Sequence, residues 1–412
     1  MQVVQQLAVE EHPWLRAKPL LRLLHILNSD VLTCRMVGGC VRDALLGREI
    51  IDIDLACSLV PEETMSRLEK AGVKVILTGL KHGTITAVIE KYAFEITSLR
   101  RDVETYGRHA KVAFTDDWIE DAKRRDFTFN ALYLDEDGSL YDPCGGLKDL
   151  ELRQVRFIGD GNKRITEDAL RILRFFRFGA QIGDGKLDPK GLAACIANKN
   201  LIETLSGERL AQELFKTLKA ENLLPIIKVM ADSGVLAAIL SAHRGGGHRT
   251  LETLNGFVRL EKALGRCDVM ARLACLLVVN GGDVRRALRL SNKQSKILNR
   301  YMTHDIFLSS GMSRKDIRKN IYKSGCDVFI FALLQNQAHQ KTRGDFEDCK
   351  DRLSYAESWL TPILPLQGRD LMMAGVAAGP EMGKALKKLE WLWMESDFTF
   401  SKEDLLQKLH LS

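Results

Sequence analysis

Residues 36–56 read MVGGCVRDALLGREIIDIDLA, and this stretch decides the fold of the first part of the chain. It predicts a strand that ends at a Gly38-Gly39 turn, then a short helix, then a second strand that carries Asp52 and Asp54. Because strand residues two apart project to the same side, both carboxylates are expected on one face of the sheet.

Two carboxylates held this close repel each other unless a cation lies between them. Hard oxygen ligands of this kind suit Mg²⁺ that is shared with substrate phosphates. Gly38 and Gly39 let backbone N–H groups approach a phosphate at the start of the helix that bears Arg42. A DxD pair alone is more often an ordinary strand edge. The GGxVRD segment before it favours a site for a metal and a triphosphate.

The rest of this first part alternates strands and helices. Further strands are expected at 73–78, 84–90, 93–98 and 131–134, several of them β-branched and alternating. From about residue 165 the apolar spacing is helical almost throughout. We therefore predict an α+β protein whose chemistry lies in its α/β head.

GGCVRDALLG followed by DIDLA resembles the first motif of the class II tRNA nucleotidyltransferase and poly(A) polymerase family. Further segments resemble that family in the same order: KHGTITAV (81–88), KRRDFTFNALYLD (123–135), YDPCGGLKDL (141–150), ITEDALRILRFFRF (165–178) and SGERLAQELFK (206–216). The resemblance implies a DNA polymerase beta-like nucleotidyltransferase head, followed by an all-helical neck, body and tail. We expect these parts at 1–145, 146–240, 241–345 and 346–412.

The KRRDFTFN segment has groups for a nucleotide. Adjacent arginines match phosphate oxygens, and Asp126 with Asn130 can hydrogen-bond a ribose hydroxyl, which would favour ribonucleotides. A solvated turn entering a strand is the alternative. The resemblance implies that Arg125 contacts the incoming nucleotide.

The EDALR segment is expected to choose the base. On a continuous helix Asp168 and Arg171 lie one turn apart on one face, where an acceptor and a forked donor can bond a Watson–Crick edge. Such a pair could replace a template, as the resemblance implies. Arg174 and Arg177 continue at the same step, toward phosphates or the second substrate. An isolated EDALR would more often be an ordinary helical ion pair, worth ~0.2–0.5 kcal/mol.

Three weaker features complete the expected sites. Glu95, on a predicted strand, resembles a third acidic position of the fold and is a candidate metal ligand. The polar, basic stretch 100–111 resembles a flexible family loop that couples nucleotide choice to the growing end. Eleven arginines and lysines between residues 285 and 323 could bind an RNA backbone, or could form an ordinary solvated face.

Composition sets limits on the class of protein. The 412 residues carry a net charge of +6, which fits a partner rich in phosphates without requiring one. No uncharged apolar run of ~18 residues appears, the first residues lack the pattern of a secretion signal, and the nine cysteines show no zinc spacing. We therefore expect a cytoplasmic protein that has no membrane partner.

The DxD pair with GGxVRD predicts metal-dependent nucleotidyl transfer, and the family resemblance implies template-independent addition or repair of the 3′-terminal CCA of tRNA from CTP and ATP. The expected cofactor is Mg²⁺ and the expected partner is the tRNA acceptor arm, with no obligate protein partner inferred. A poly(A) polymerase, which shares the head motifs, and an enzyme adding only CC or only A are alternatives. A non-catalytic RNA-binding protein is a third, although its retention of Asp52, Asp54, Asp168 and Arg171 argues against it.

Overall fold

The computed structural model describes residues 1–29, 31–80, 83–106, 109–240, 248–277, 282–309, 311–339 and 345–409. The chain forms two compact units. The first comprises Met1–Ala242 with Ala287–Arg289, and the second comprises His243–Arg286 with Leu290–Ser412. This division falls near the predicted boundary at 240, and the finer division into four parts stays a prediction. Among the described residues, no helix is long and apolar enough to cross a membrane.

The described part of the first unit contains ten strands. They are β1 (Val3–Gln6), β2 (Cys34–Val37), β3 (Asp54–Cys57), β4 (Lys74–Gly79), β5 (Thr84–Ile89), β6 (Tyr92–Ser98), β7 (Arg100–Tyr106), β8 (His109–Phe114), β9 (Tyr133–Leu134) and β10 (Ser139–Tyr141). Eight of them form one sheet in the order β1-β10-β9-β2-β3-β6-β5-β4. The pairing of β3 with β6 is parallel and the other pairings are antiparallel.

One strand prediction and one loop prediction were wrong in detail. β3 begins only at Asp54, so Asp52 lies in the segment before the strand, which has no regular secondary structure, and not on the strand. The stretch 100–111 is not a loop, because β7 and β8 pair as a separate antiparallel hairpin. Gly107 and Arg108 of this stretch, and Lys81 and His82 of the KHGTITAV segment, lie outside the described residues.

The described part of the first unit also contains eleven α-helices. They are α1 (Lys18–Leu27), α2 (Gly39–Leu45), α3 (Pro61–Lys70), α4 (Trp118–Lys123), α5 (Gly146–Glu151), α6 (Gly161–Glu167), α7 (Leu170–Gln181), α8 (Pro189–Ala197), α9 (Gly207–Lys219), α10 (Leu223–Asp232) and α11 (Val235–Leu240). The predicted α+β class, a mixed sheet followed by helices, is confirmed.

A cluster of phenylalanines fixes α7 against the segment that follows α4. Phe127 is fully buried and its ring lies 4.9 Å from Phe157, 6.4 Å from Phe175 and 5.3 Å from Phe178, measured between centroids. Phe157 and Phe175 stack at 5.3 Å. Buried aromatic rings dominate the energetics of such contacts. The cluster therefore holds the RRDF segment and α7 in a fixed relation.

All the regular elements in the described part of the second unit are helices. Its helices are α12 (His248–Ala263), α13 (Val269–Leu276), α14 (Gly282–Ala287, which ends at the unit boundary), α15 (Asn292–Thr303), α16 (Arg314–Ser324), α17 (Cys326–His339), α18 (Asp345–Ser358), α19 (Gly368–Met373), α20 (Pro380–Glu395) and α21 (Lys402–Leu409).

Many basic side chains of the segment 285–323 form ion pairs with carboxylates inside this unit. The pairs are Arg300–Asp327, Arg314–Asp351, Lys315–Glu395, Arg318–Asp397 and Lys319–Glu395. These five cations therefore join helices, which weakens the prediction of an RNA-binding strip.

Candidate active site

The glycine turn lies between β2 and α2. Gly38 has φ +75° and ψ −116°, a conformation that residues with a Cβ rarely adopt. Its amide donates to the Leu132 carbonyl at 3.2 Å. A Cβ at Gly38 would lie 3.6 Å from the Asn130 carbonyl oxygen, which is ordinary contact, so backbone conformation is what requires glycine here.

The acidic pair lies beside this turn. Asp54 is the first residue of β3, and it pairs with Glu95 of β6 in the parallel register. Partial burial raises the pKa of Asp54, and repulsion from Glu95 and Asp52 adds to the rise, while Arg125 and Arg42 oppose it. Uncompensated negative charge therefore gathers at this end of β3.

These residues fit a divalent cation that is shared with a substrate. Asp52 and Asp54 both line the pocket described below, whereas Glu95 does not. Among the described residues, no three His, Cys, Asp or Glu side chains form a group that could hold a metal. Mg²⁺ is commonly bound by one or two carboxylates, while phosphate and water oxygens occupy its remaining coordination positions. Glu95 stays a candidate because it neighbours Asp54.

Asp121, which the sequence did not single out, organises the arginines of the RRD segment. Its side chain is 1% exposed and accepts from Arg124 Nε at 2.7 Å, from Arg125 Nη2 at 3.0 Å and from the Tyr133 hydroxyl at 2.8 Å. Burial alone would raise the pKa of Asp121, but Arg125, Arg124 and Tyr133 lower it to about 2. The i, i+3 and i, i+4 spacing of an acid before two arginines was the available signal.

Asp126 and Asn130, predicted to meet a ribose, belong to a second polar network. The Asp126 carboxylate accepts from Asn130 Nδ2 at 3.0 Å and from Arg174 Nε at 2.5 Å. Asn130 Oδ1 in turn accepts from Arg42 Nη1 at 2.8 Å. Burial alone would raise the pKa of Asp126, but Arg174, Asn130 and Arg171 lower it to about 2. The network joins the helix of the glycine turn to α7.

The segment predicted as one reading helix is two helices. α6 ends at Glu167, Asp168 is extended (φ −152°, ψ 107°), and α7 begins at Leu170. The prediction that Asp168 and Arg171 lie one turn apart on a continuous helix is therefore wrong. The Asp168 carboxylate instead accepts from the Leu170 amide at 3.1 Å and so supplies one of the bonds that a helix N-terminus lacks.

Asp168 and Arg171 also have different ionic partners. Asp168 accepts from Arg209 Nη2, at 2.8 Å to Oδ2 and 3.1 Å to Oδ1. Arg171 donates from Nη1 to Glu167 at 2.6 Å and from Nη2 to the Arg124 carbonyl at 3.2 Å. Each group of the predicted pair is thus held in place by a separate partner.

Arg177 lies deeper than predicted. Its side chain is buried, its guanidinium carbon lies 4.1 Å from the Phe178 ring centroid, and Nη1 donates to Glu213 at 3.2 Å. Burial lowers the pKa of Arg177 to about 10 although Glu213 acts in the opposite direction. A guanidinium so placed contributes to packing between α7 and α9 as well as to the pocket wall.

One cavity of about 1070 Å³ brings these groups together. Its walls come from the glycine turn, the acidic pair, the RRD segment, α7 and α9. The predicted site residues among its lining are Gly38, Gly39, Arg42, Asp52, Asp54, Arg125, Asp126, Asn130, Asp168, Arg171, Arg174 and Arg177. A phosphate cradle, a carboxylate pair and a donor–acceptor pair therefore face one space, which can hold a nucleotide with its base and triphosphate at separate sets of residues.

Two family models and several known proteins match this chain. The family described as "Poly A polymerase head domain" matches residues 34–156, and the one described as "Probable RNA and SrmB- binding site of polymerase A" matches residues 186–244. "CCA tRNA nucleotidyltransferase 1, mitochondrial" of Danio rerio is 33% identical over 422 residues, covering 100% of this chain and 94% of that one. The Homo sapiens protein of the same name is 35% identical, covering 90% and 85%.

A solved structure has the same fold. The "Bacillus stearothermophilus CCA-adding enzyme in complex with CTP" is 27% identical, with a TM-score of 0.73. The match covers 95% of this chain and 96% of that chain. The similarity therefore extends over both compact units and is not confined to the head.

Proposed function

Because the chain belongs to the CCA-adding tRNA nucleotidyltransferase family, we propose that it adds or repairs the 3′-terminal CCA of tRNA from CTP and ATP without a nucleic-acid template. One observation carries this proposal: the acidic pair and the Asp168–Arg171 pair line a single cavity. A carboxylate pair alone would support nucleotidyl transfer in general. The same cavity also contains groups that can hydrogen-bond a base, which supports selection of the nucleotide by the protein itself.

The chemistry assigned to each group follows from its type and position. Asp52 and Asp54 would hold divalent cations, for which we propose Mg²⁺. Such a cation lowers the pKa of an attacking hydroxyl and neutralises the charge of departing pyrophosphate. Gly38, Gly39 and Arg42 face the triphosphate, and Arg125, held by Asp121, faces the nucleotide. Catalysis at such a site consists mainly of positioning the 3′-hydroxyl in line with the α-phosphorus.

The choice of C or A is assigned to Asp168 and Arg171. A carboxylate accepts from the exocyclic amine that cytosine and adenine both carry, and a guanidinium donates to a ring nitrogen or carbonyl. Uracil and guanine present an oxygen where that amine would be, so the carboxylate would face an acceptor. Discrimination against UTP and GTP is therefore expected from unpaired buried polar groups.

Product length tests this proposal against the alternatives. The protein is incubated with tRNA that ends before CCA, with CTP alone, ATP alone and both together, and products are sized at single-nucleotide resolution. Extension by three nucleotides that then stops is the expected result with both. An adenosine ladder would indicate a poly(A) polymerase, stopping after CC or adding only A would indicate a partial enzyme, and no product would indicate a binding protein.

The compartment is a separate proposal. We propose the cytoplasm; all nine cysteines are free thiols, which is typical of a reducing compartment and argues against secretion. The mitochondrial names of the two vertebrate relatives support the alternative. Fractionation of cells followed by immunoblotting distinguishes them, and recovery with the mitochondrial matrix would contradict our proposal.

A further inference from the structure

The cavity has a basic wall that the nucleotide assignments do not use. Arg209, Lys216 and Lys219 of α9 all line it. Spacings of seven and three residues keep the three side chains on one helix face. At 1.5 Å per residue, the wall runs for about 15 Å, from the group that holds Asp168 toward the end of α9.

Most of the cavity's arginines are bound to carboxylates. Arg42 bonds Asp43, Arg124 and Arg125 bond Asp121, Arg171 bonds Glu167, Arg174 bonds Asp126, Arg177 bonds Glu213 and Arg209 bonds Asp168. Lys216 and Lys219 differ, because their ammonium groups have no ion pair or hydrogen bond with any described residue. Both side chains are exposed. They therefore keep their full capacity to bind an anion that enters the cavity.

Given the proposed function, we infer that Lys216 and Lys219 bind phosphates of the 3′-terminal strand of the tRNA. Two phosphate-bearing ligands must enter this cavity, the nucleoside triphosphate and the growing RNA end. At about 1070 Å³ the cavity is larger than the ~300–1,000 Å³ of typical pockets for one small molecule.

The chemistry of lysine favours the RNA strand over the triphosphate. A triphosphate is held in one position at each addition, which suits guanidinium groups fixed by carboxylates. The strand gains one phosphate with each nucleotide added, so its phosphates change position relative to the protein. An ammonium group on a flexible four-carbon chain can follow such a change, because it binds as a point charge without a fixed geometry.

The test compares Lys216→Gln/Lys219→Gln with a control of equal charge change, Lys163→Gln/Lys190→Gln. The control lysines are exposed, lie on α6 and α8, and do not line the cavity. The KM for tRNA lacking CCA is measured at several KCl concentrations, and the Kd for CTP is measured without tRNA. The single variants at 216 and 219 are included, and urea unfolding checks that each protein folds.

The double variant should raise the KM for tRNA roughly 10-fold or more at low salt. It should also reduce the slope of log KM against log [KCl] by about 1.4, since each single-strand phosphate contact contributes about 0.7. The Kd for CTP and the control variant should match the wild type. A weaker Kd for CTP with an unchanged tRNA slope would assign the lysines to the triphosphate and overturn the inference. So would a double variant that matches the wild type in every measurement.

These outcomes are separate from failure of the proposed function. If the wild-type protein adds no nucleotide to tRNA, the proposed function is wrong, whatever the lysine variants do. If the wild type adds CCA and the lysine variants keep its KM and salt slope, only this inference is wrong.

Discussion

Arg209 Nη2 lies 2.8 Å from Oδ2 and 3.1 Å from Oδ1 of Asp168, so a cation from α9 fixes the carboxylate assigned to base reading. Asp168 sits in an extended break between α6 and α7, where no helical backbone holds its side chain in register. The contact with Arg209 adds to the bond that the carboxylate accepts from the Leu170 amide, and the two together fix its position. Nucleotide choice should therefore depend on a residue that need not touch the base.

Replacing Arg209 tests this dependence. In Arg209→Ala, kcat/KM for CTP and ATP should fall roughly 10-fold, the size of a lost charge-assisted hydrogen bond of ~1.5 kcal/mol. Incorporation of UTP and GTP relative to CTP should rise, because the Asp168 carboxylate loses both contacts with Arg209 and keeps only its bond from the Leu170 amide. The neighbouring Glu208→Gln, which affects an exposed pair with Arg289, is the matched control. Unchanged discrimination in Arg209→Ala would contradict the assignment.

A second positioning residue is Asp121. In Asp121→Asn the two arginines lose their shared carboxylate while the size of the side chain is kept, so Arg125 should no longer be held toward the cavity. The KM for CTP should rise at least 10-fold with a smaller change in kcat. Steady-state kinetics with saturating tRNA measures both. A kcat loss without a KM change would mean that Arg125 does not contact the nucleotide.

The stability of the protein in acid should depend on the ionisation of the Asp121 carboxylate. The pKa of Asp121 in the folded protein is about 2, below the ~3.9 of an unfolded chain. Its contribution to stability is therefore complete above about pH 5 and is lost as the pH falls through 2, for a total of about 2–3 kcal/mol. Urea unfolding between pH 5 and 2.5 should show a smaller loss in Asp121→Asn than in the wild type. If the free energy of unfolding fell equally with pH in both proteins, the low pKa of Asp121 would be contradicted.

The glycine turn gives a prediction about backbone conformation. Gly38→Ala should lower the free energy of unfolding by about 1–3 kcal/mol, because φ +75° with ψ −116° is strained for alanine. Activity should fall 10-fold or more as the turn rearranges. Gly47→Ala is the control, since Gly47 also has positive φ, at +64°, but lies outside the cavity lining. It should lose stability without losing activity.

Sequence patterns located the site well and its internal contacts poorly. The glycine turn and the strands β2, β4, β5 and β6 follow from local propensity, and all the predicted site residues except Glu95 line one cavity. The position of Asp168 did not follow, because the 3.6-residue spacing of apolar residues continues across the break before Leu170. A carboxylate that caps α7 and bonds Arg209 outweighs that periodicity.

Pairing between distant residues was the other gap. Asp121 shares its segment with the RRD arginines. Its burial and its hydrogen bond with Tyr133, however, arise only when the sheet is packed. The basic segment 285–323 looked like an RNA-binding strip because the acids that pair with it come from helices up to 80 residues away, as Lys315 and Glu395 do. Charge counts along the chain cannot reveal such neutralisation.

The central claim is that nucleotides are transferred to tRNA at the carboxylate pair of this cavity. The most direct measurement is single-turnover addition of labelled CTP to tRNA ending before CCA, by wild-type protein, Asp52→Ala and Asp54→Ala, with tRNA binding measured in parallel. Each variant should lose about 10³-fold or more in rate while binding tRNA nearly as the wild type does. Addition at the wild-type rate by either variant would contradict the claim.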